Sequence, residues 1–141
     1  MRYIIDSSVA VKWAIPETDT PKALQLREDS RSAVHELLAP DVFAIEVAHA
    51  LTRAERQKRI NVGQSKMFLT DILNTAPQLH PSYPLLVHAC DISSTMRVGI
   101  YDCLYISLAE QEGCEFITAD DKLVKNLQRT YPFIVPLASL P

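Results

Sequence analysis

The sequence predicts a three-layer α/β/α fold, in which helices cover both faces of a central parallel sheet of about five strands. Short apolar, β-prone runs recur along the chain and alternate with longer segments of helical periodicity. The first run, residues 3–5, is continuously apolar, which is typical of a strand buried on both faces of a parallel sheet. Successive strands of such a sheet are joined by right-handed crossovers. We expect one domain that spans residues 1–141.

Composition supports a globular protein, because 48% of the 141 residues are apolar and 22% are charged. No apolar run approaches the roughly 20 residues of a membrane span, and no signal-peptide region precedes the first strand. Three cysteines form no C-x-x-C pair and leave an odd count, so neither a zinc site nor a disulfide framework is expected. We predict a cytoplasmic protein with reduced thiols and no membrane insertion.

The first elements are bounded by clear local signals. The strand at 3–5 stops at Asp6, and an apolar segment at 9–14 is long enough for two helical turns. Thr20 and Pro21 mark the start of the second helix, since threonine caps helices and proline suits the first helical position.

The middle of the chain continues the alternation. A short strand at 34–39 is closed by Pro40, and Asp41 is expected to cap a well-patterned helix at 42–51 that runs on to about residue 60. A turn then leads into a further helix at 64–75.

The last part of the chain repeats this pattern. A break at 98–100 separates two of its helices, and Asp102 is expected to open the second of them. The predicted strands here are 78–80, 114–118 and 133–135, and the predicted helices are 85–97, 102–113 and 122–129.

Asp6 lies where the first strand ends and a helix begins. In open α/β sheets, ligands bind in the crevice outside the carboxyl ends of the strands. A carboxylate there faces the crevice and the positive end of the next helix, which we expect to keep it ionised. The alternative is that Asp6 only caps that helix.

Three further carboxylates occupy comparable places. Asp120 follows a β-prone run as Asp6 does, and Asp102 lies at a helix start. Glu46 lies in the apolar part of its helix and shares a side with apolar residues four positions before and after it, so it points partly inward. The alternative for Glu46 is a rim position, where it pairs with Arg53 or another basic side chain.

The joint pattern of acids indicates a metal site. If two or three of them converge within about 5 Å, each pair repels by roughly 3 kcal/mol at an effective dielectric constant near 20. A fold with a net stability of about 5–15 kcal/mol would need a counter-charge, and all-oxygen ligation suits Mg²⁺ or Mn²⁺ rather than zinc.

Other chemistry-bearing residue types give weaker signals. His49 follows Glu46 at the E-x-x-H spacing of di-iron sites, but no second copy exists, so it is expected to be structural or exposed. Cys103 has no positioned base and is not expected to be a catalytic thiol. Aromatic residues such as Tyr105 are expected to be packing residues.

Basic residues cluster in one stretch. Four lysines and arginines lie within residues 53–59, and Lys66 follows. A solvated helix face explains such a cluster, although beside an acidic cleft it would also hold a phosphate backbone. The net charge of −3 argues only against a generic nucleic-acid coat protein.

Four segments, in this order and at these separations, resemble the PIN domain in the form found in VapC-type toxins of bacterial and archaeal toxin–antitoxin pairs. They are YIIDSS at 3–8, APD at 39–41 followed by EV at 46–47, YDCLYISLA at 101–109 and FITAD at 116–120. The resemblance covers nearly the whole chain. It implies a helix-flanked sheet, a Mg²⁺- or Mn²⁺-dependent endoribonuclease, a homodimer and inhibition by a small antitoxin.

The resemblance also assigns roles to residues of this sequence. Asp6, Glu46, Asp102 and Asp120 match the acidic quartet of the family. Asp6 and Asp102 would hold the cation, with Glu46 and Asp120 binding directly, through water or at a second metal. Asp121 is an alternative fourth acid, but it is better placed to cap the following helix.

The resemblance assigns roles to two hydroxyls as well. Thr118 matches the hydroxyl before the last acid, and Ser8 matches the hydroxyl after the first; either would orient water or a phosphate. Apart from the resemblance, we expect the basic residues near Arg53 to hold the RNA backbone.

Two other functions compete with an RNA-cleaving enzyme. One is a catalytically silent PIN-like module that dimerises or holds a partner. The other is an Asp-based phosphohydrolase, which needs a second aspartate two residues after its nucleophile, where this chain has Ser8.

Overall fold

A computed structural model of the chain describes residues 1–141 and contains five strands and seven helices. The strands are β1 (Arg2–Ile5), β2 (Glu36–Pro40), β3 (Gln78–His80), β4 (Glu115–Thr118) and β5 (Ile134–Pro136). The helices are α1 (Ser7–Ala10), α2 (Thr20–Arg31), α3 (Val42–Arg56), α4 (Gln64–Leu73), α5 (Leu86–Met96), α6 (Ile100–Glu112) and α7 (Asp121–Leu127). Short 3-10 turns lie at Val11–Trp13, Tyr83–Leu85 and Leu137–Ser139. None of the helices is long and apolar enough to cross a membrane.

The five strands form one parallel sheet in the order β3-β2-β1-β4-β5. β1 is therefore central, with β2 on one side and β4 on the other. The register of β1 and β4 pairs Ile5 with Ile117, so Asp6 and Thr118 follow side by side at the same edge of the sheet. The predicted parallel sheet is confirmed.

The sheet is covered on both faces. Successive side chains of a strand point to opposite faces, and both Ile4 and Ile5 are completely buried, as are Phe116 and Ile117. α6 packs against β1, β2 and β4, and its residues 103–109 are all buried. These contacts give the predicted three-layer arrangement, with the carboxyl ends of β1 and β4 at the centre of one edge.

Two predicted helix starts are wrong by a few residues. The first helix begins at Ser7, because Asp6 already caps it, and it continues after Ala10 as a 3-10 turn. α6 begins at Ile100 rather than at Asp102, because Gly99 adopts the extended backbone of an N-cap. Asp102 consequently lies in the first turn of α6.

The predicted capping role of Asp41 is also wrong. Asp41 occupies the N-cap position of α3, but its backbone is already helical, at φ −65° and ψ −13°, and its side chain accepts no hydrogen bond from that helix. The carboxylate instead accepts hydrogen bonds from the amide and hydroxyl of Ser82. Asp41 therefore links the start of α3 to the segment after β3.

Candidate active site

The structure gathers the four predicted carboxylates at the carboxyl edge of the sheet. Asp6 directly follows β1, Asp120 follows the neighbouring β4 by two residues, Glu46 lies in α3, and Asp102 lies in the first turn of α6. The charge of Asp102 acts on the pKa of Asp6, and the charges of Asp120 and Glu46 act on the pKa of Asp102. The four side chains thus form one electrostatic cluster.

Asp6 is held by a dense set of hydrogen bonds. Its Oδ1 accepts from the amide of Ser8 at 3.1 Å and from the Ser8 hydroxyl, and its Oδ2 accepts from the Thr118 hydroxyl at 2.6 Å. The Ser8 oxygen in turn accepts from the amide of Ala119 at 2.9 Å. Asp6 is also the N-cap of α1. Asp6 therefore caps α1 and also belongs to the acidic cluster.

Burial dominates the protonation of Asp6. It raises the pKa of this carboxyl from 3.8 to about 7; the hydrogen bonds from Ser8 and Thr118 lower it, and the charges of Asp102 and Glu46 raise it. The effect of the following helix, which was expected to keep Asp6 ionised, is smaller than that of burial. α1 has only four residues, so its dipole is small compared with the cost of burying a charge.

Glu46 has a different partner from the one considered from sequence. It forms no ion pair with Arg53; its Oε1 accepts a hydrogen bond of 2.7 Å from the hydroxyl of Tyr105 in α6. Burial raises the pKa of Glu46, whereas the Tyr105 hydrogen bond and the charge of His49 lower it. Tyr105 is 1% exposed and its ring stacks on Phe116, with centroids 5.5 Å apart. It was predicted as a packing residue, and its second role as a positioning residue was missed.

Asp102 and Asp120 complete the cluster in contrasting ways. Asp102 has no hydrogen-bond partner within the chain, and burial, followed by the charges of Asp120 and Glu46, raises its pKa to about 6. Asp120 is exposed and caps α7, accepting from the amide of Leu123 at 3.1 Å. The prediction that Asp121 would cap this helix is wrong, because Asp121 is already its first residue.

The cluster lacks a cationic partner inside the protein. No lysine, arginine or histidine nitrogen lies within 4.0 Å of any of the four carboxylates. No three acidic, histidine or cysteine side chains form a ready-made ligand cage either. A donor set of carboxylates alone, with Asp102 free of other partners, fits a hard divalent cation such as Mg²⁺ or Mn²⁺.

Two depressions flank the acids. One groove of about 750 Å³ is lined by Glu46, His49, Arg53, Arg59 and Tyr101, among others. A smaller one of about 310 Å³ lies on the other side of the cluster, where Asp102 and Asp120 meet Arg97 and Lys122. Of the basic residues predicted as a cluster at 53–59, only Arg53 and Arg59 line the larger groove.

The two predicted hydroxyls hold Asp6. Thr118 is completely buried, so it cannot contact RNA directly; it donates to Asp6 and accepts from the amide of Asp120 at 3.1 Å. Ser8 is partly exposed, and its hydroxyl lies 3.3 Å from that of Thr118. These two residues hold the Asp6 carboxylate in a fixed orientation.

Cys103 next to the cluster is not a nucleophile. Burial, with the charge of Asp102, raises the pKa of its thiol to about 11, and the thiol lies 3.3 Å from the carbonyl oxygen of Gly99. A thiol with this pKa stays protonated near neutral pH.

Comparison with known proteins points to one family. The family model described as PIN domain matches residues 3–127. The chain is 30% identical over 124 residues to Ribonuclease VapC3 of Mycobacterium tuberculosis, covering 88% of this chain and 86% of that protein. It is 26% identical over 127 residues to Ribonuclease VapC3 of Pyrobaculum aerophilum, covering 89% and 94%.

Two solved structures share the fold. PAE2754 from Pyrobaculum aerophilum superposes with a TM-score of 0.69 at 20% identity, covering 99% of this chain and 94% of that one. VapBC2 from Rickettsia felis, solved bound to a DNA fragment from its promoter, superposes with a TM-score of 0.63 at 14% identity, covering 96% and 97%.

Proposed function

Because the chain belongs to the PIN domain family, we propose that it is an endoribonuclease that hydrolyses RNA phosphodiester bonds at a carboxylate-bound Mg²⁺ or Mn²⁺. The observation that carries this proposal is the cluster of four neighbouring carboxylates, none of which has a cationic nitrogen within 4.0 Å. The curated relatives that match most of the chain's length carry the name ribonuclease, which supports RNA as the substrate. The intact quartet favours an enzyme over a silent binding module.

Each carboxylate has a distinct role in this proposal. Asp6 and Asp102 hold the cation, with Asp6 oriented by Ser8 and Thr118 and Asp102 free of competing hydrogen bonds. Glu46, fixed by Tyr105, and Asp120, at the start of α7, bind directly, through water or at a second metal. A bound divalent cation would lower the pKa of a coordinated water and offset charge on the phosphoryl oxygens.

The raised pKa values are consistent with these roles. A carboxyl whose pKa is raised by burial and neighbouring charges gains a strong counter-charge when a cation is bound, and metal binding then competes with protons. We therefore expect activity to rise with pH through the range set by Asp102 and Asp6, near 6 to 7.

Arg53 is proposed to hold the RNA backbone. It is exposed and lines the larger groove together with Glu46, so a strand lying in that groove would pass from the guanidinium to the acids. Contacts of arginine with phosphates give affinity without sequence preference.

The direct test is cation-dependent cleavage of total RNA and of structured RNA fragments. The wild type is compared with Asp6→Asn and Asp102→Asn, and Asp91→Asn serves as a matched control because Asp91 is exposed on α5 and outside the cluster. We expect the wild type and the control to cleave with Mn²⁺ and not with a chelator, and both site variants to be folded and inactive.

Three results would overturn the proposal. Equal cleavage by all four proteins would place the activity outside the cluster. A folded wild type that neither cleaves RNA nor gives heat with Mn²⁺ would favour the silent module, and a phospho-aspartate trapped at Asp6 would favour a phosphohydrolase.

We further propose that the chain is the toxin of a toxin–antitoxin pair, inhibited by a small antitoxin, and that it forms a homodimer. The VapC name of the curated relatives supports the first part. A small gene beside this one should encode a protein that co-purifies with the chain and suppresses its RNA cleavage. Analytical ultracentrifugation of the chain alone tests the dimer.

A further inference from the structure

Lys12 is a buried cation that the proposed mechanism does not use. It lies in the 3-10 turn after α1, four residues beyond Ser8, and only 9% of its surface is exposed. Its neighbours in the sequence, Val11 and Trp13, belong to the apolar core. A lysine in such a place normally pairs with a carboxylate or extends its amine to water.

The Lys12 ammonium has no partner in the chain. It forms no ion pair, and the buried polar atoms without a hydrogen bond are both histidine nitrogens, so the ammonium is not sealed in the core. The aliphatic stem is therefore packed while the charged end reaches solvent. A methionine or leucine would fill the stem's place without the cost of burying a charged side chain.

The ammonium end opens towards a small depression beside the acids. This depression, of about 270 Å³, is lined by Lys12 together with Ser7, Ser8, Val11, Glu17, Ala50 and Ala119. Ser7 and Ala50 also line the larger groove that contains Arg53, so the two depressions adjoin. Glu17 is exposed and does not pair with Lys12.

The depression that Lys12 lines adjoins the acidic cluster. Ser8, which binds the carboxylate of Asp6, lines it, and so does Ala119, the residue before Asp120. Because the larger groove and this depression adjoin, an RNA strand lying in the groove would carry a neighbouring phosphate to the depression. A free ammonium there would meet a phosphate oxygen.

We propose that Lys12 binds a backbone phosphate of the RNA next to the phosphate that is cleaved. This inference rests on the proposed ribonuclease activity. In this proposal Lys12 binds the substrate and contacts a phosphate that does not react. Its loss should weaken RNA binding and raise KM while leaving kcat nearly unchanged, since the contact exists before and during the reaction.

The test measures RNA binding apart from cleavage. Asp102→Asn serves as the inactive background, and a short single-stranded RNA of mixed sequence is bound at fixed Mg²⁺ over a range of KCl concentrations. Lys12→Met keeps the stem and removes the charge, Lys12→Arg keeps the charge, and Lys125→Met removes an exposed charge that lines none of the depressions.

We expect Lys12→Met to weaken binding about tenfold, as for loss of a charge-assisted hydrogen bond. It should also lower the slope of log K against log salt by about 0.7, the contribution of one phosphate contact on a single strand. Lys12→Arg should keep the wild-type slope, and Lys125→Met should change neither quantity. Circular dichroism and Tm establish that the variants are folded.

The two proposals fail in distinguishable ways. Equal affinities and slopes for Lys12→Met and Lys125→Met would refute the phosphate contact, whether or not the chain cleaves RNA. Wild-type protein that cleaves no RNA with any divalent cation would refute the ribonuclease proposal, whatever the slope shows. A lower slope that Lys12→Arg does not restore would mean that the variant altered packing, and would also refute the contact.

Discussion

Replacing Asp6 with asparagine should make the metal-free protein more stable at neutral pH. The carboxyl is buried, next to Asp102 and Glu46, and has no cationic partner. Asparagine has nearly the same shape and keeps an acceptor for the amide of Ser8. The exchange therefore removes a buried charge and leaves the packing around it almost unchanged.

The magnitude follows from the pKa of Asp6. The pKa of the carboxyl is 3.8 in the unfolded chain and about 7 in the folded chain. Between these two pH values the folded state therefore binds one more proton than the unfolded state. The contribution of Asp6 to the free energy of unfolding is fully present below about pH 4. It falls as the pH rises to about 7, by about 4 kcal/mol in total. Weaker hydrogen bonds from Ser8 and Thr118 to a neutral amide cost about 1 to 2 kcal/mol. Above pH 7, Asp6→Asn should be about 2 to 3 kcal/mol more stable.

Urea unfolding in the presence of a chelator, followed by circular dichroism between about pH 4 and pH 8, measures this difference. Subtracting the two unfolding free energies at each pH cancels every titration that the proteins share. Asp91→Asn should follow the wild type throughout. A wild type that is as stable as Asp6→Asn at pH 8, or a difference that does not grow with pH, would refute the electrostatic account.

Adding Mn²⁺ should largely remove this difference in stability. A cation at a hundred times its Kd stabilises the folded state by about 2.7 kcal/mol, and only the wild type retains the Asp6 ligand. At pH 7.5 the wild type should gain most of this amount and the variant little. Equal gains for both proteins would show that the cation binds elsewhere.

Three further predictions concern residues around the acids. Tyr105→Phe keeps the stacked ring but removes the hydrogen bond to Glu46, so the Kd for Mn²⁺ in calorimetry should rise about tenfold. Thr118→Val removes a hydrogen bond that lowers the pKa of Asp6, so that pKa should rise further above 7. The loss of cleavage rate in this variant should then be larger at pH 6.5 than at pH 8.5. Arg53→Gln should weaken binding to all RNA sequences alike and lower the salt slope by about 0.7.

Each of these predictions has an outcome that would contradict it. An unchanged Mn²⁺ affinity in Tyr105→Phe would mean that Glu46 does not contribute to metal binding. A rate deficit in Thr118→Val that is the same at every pH would point to packing rather than to the Asp6 pKa. If Arg129→Gln, an exposed arginine outside the grooves, weakened RNA binding as much as Arg53→Gln, the assigned groove would be wrong.

The fold was largely predictable because its signals are local. Apolar runs such as residues 3–5 and 116–117 are short, β-prone and bounded by polar residues, and they became strands that are buried on both faces. Helix starts were less predictable, because a cap depends on backbone angles. Asp41 shows this, since a helical backbone at the capping position leaves its carboxylate free to bind Ser82.

The site was predictable only in part, for a related reason. Asp6 and Asp120 end neighbouring parallel strands, so topology alone brings them to one edge. The partner of Glu46 is Tyr105, 59 positions away in the chain, and only tertiary packing brings the two together. Lys12 gave no signal at all, because a single lysine in an apolar segment reads as a surface residue until its burial is known.

The structure also explains why a capping role and the proposed metal-binding role fall on the same residues. In a parallel sheet each strand ends where a helix begins, so an acid at that point faces both the helix amides and the crevice between neighbouring loops. Asp6 and Asp120 each use one oxygen for the helix that follows, Oδ1 in both cases. The cap fixes the carboxylate in place before any cation binds, and the second oxygen remains for other partners. Replacing either acid by serine should therefore keep a helix cap while removing a metal ligand.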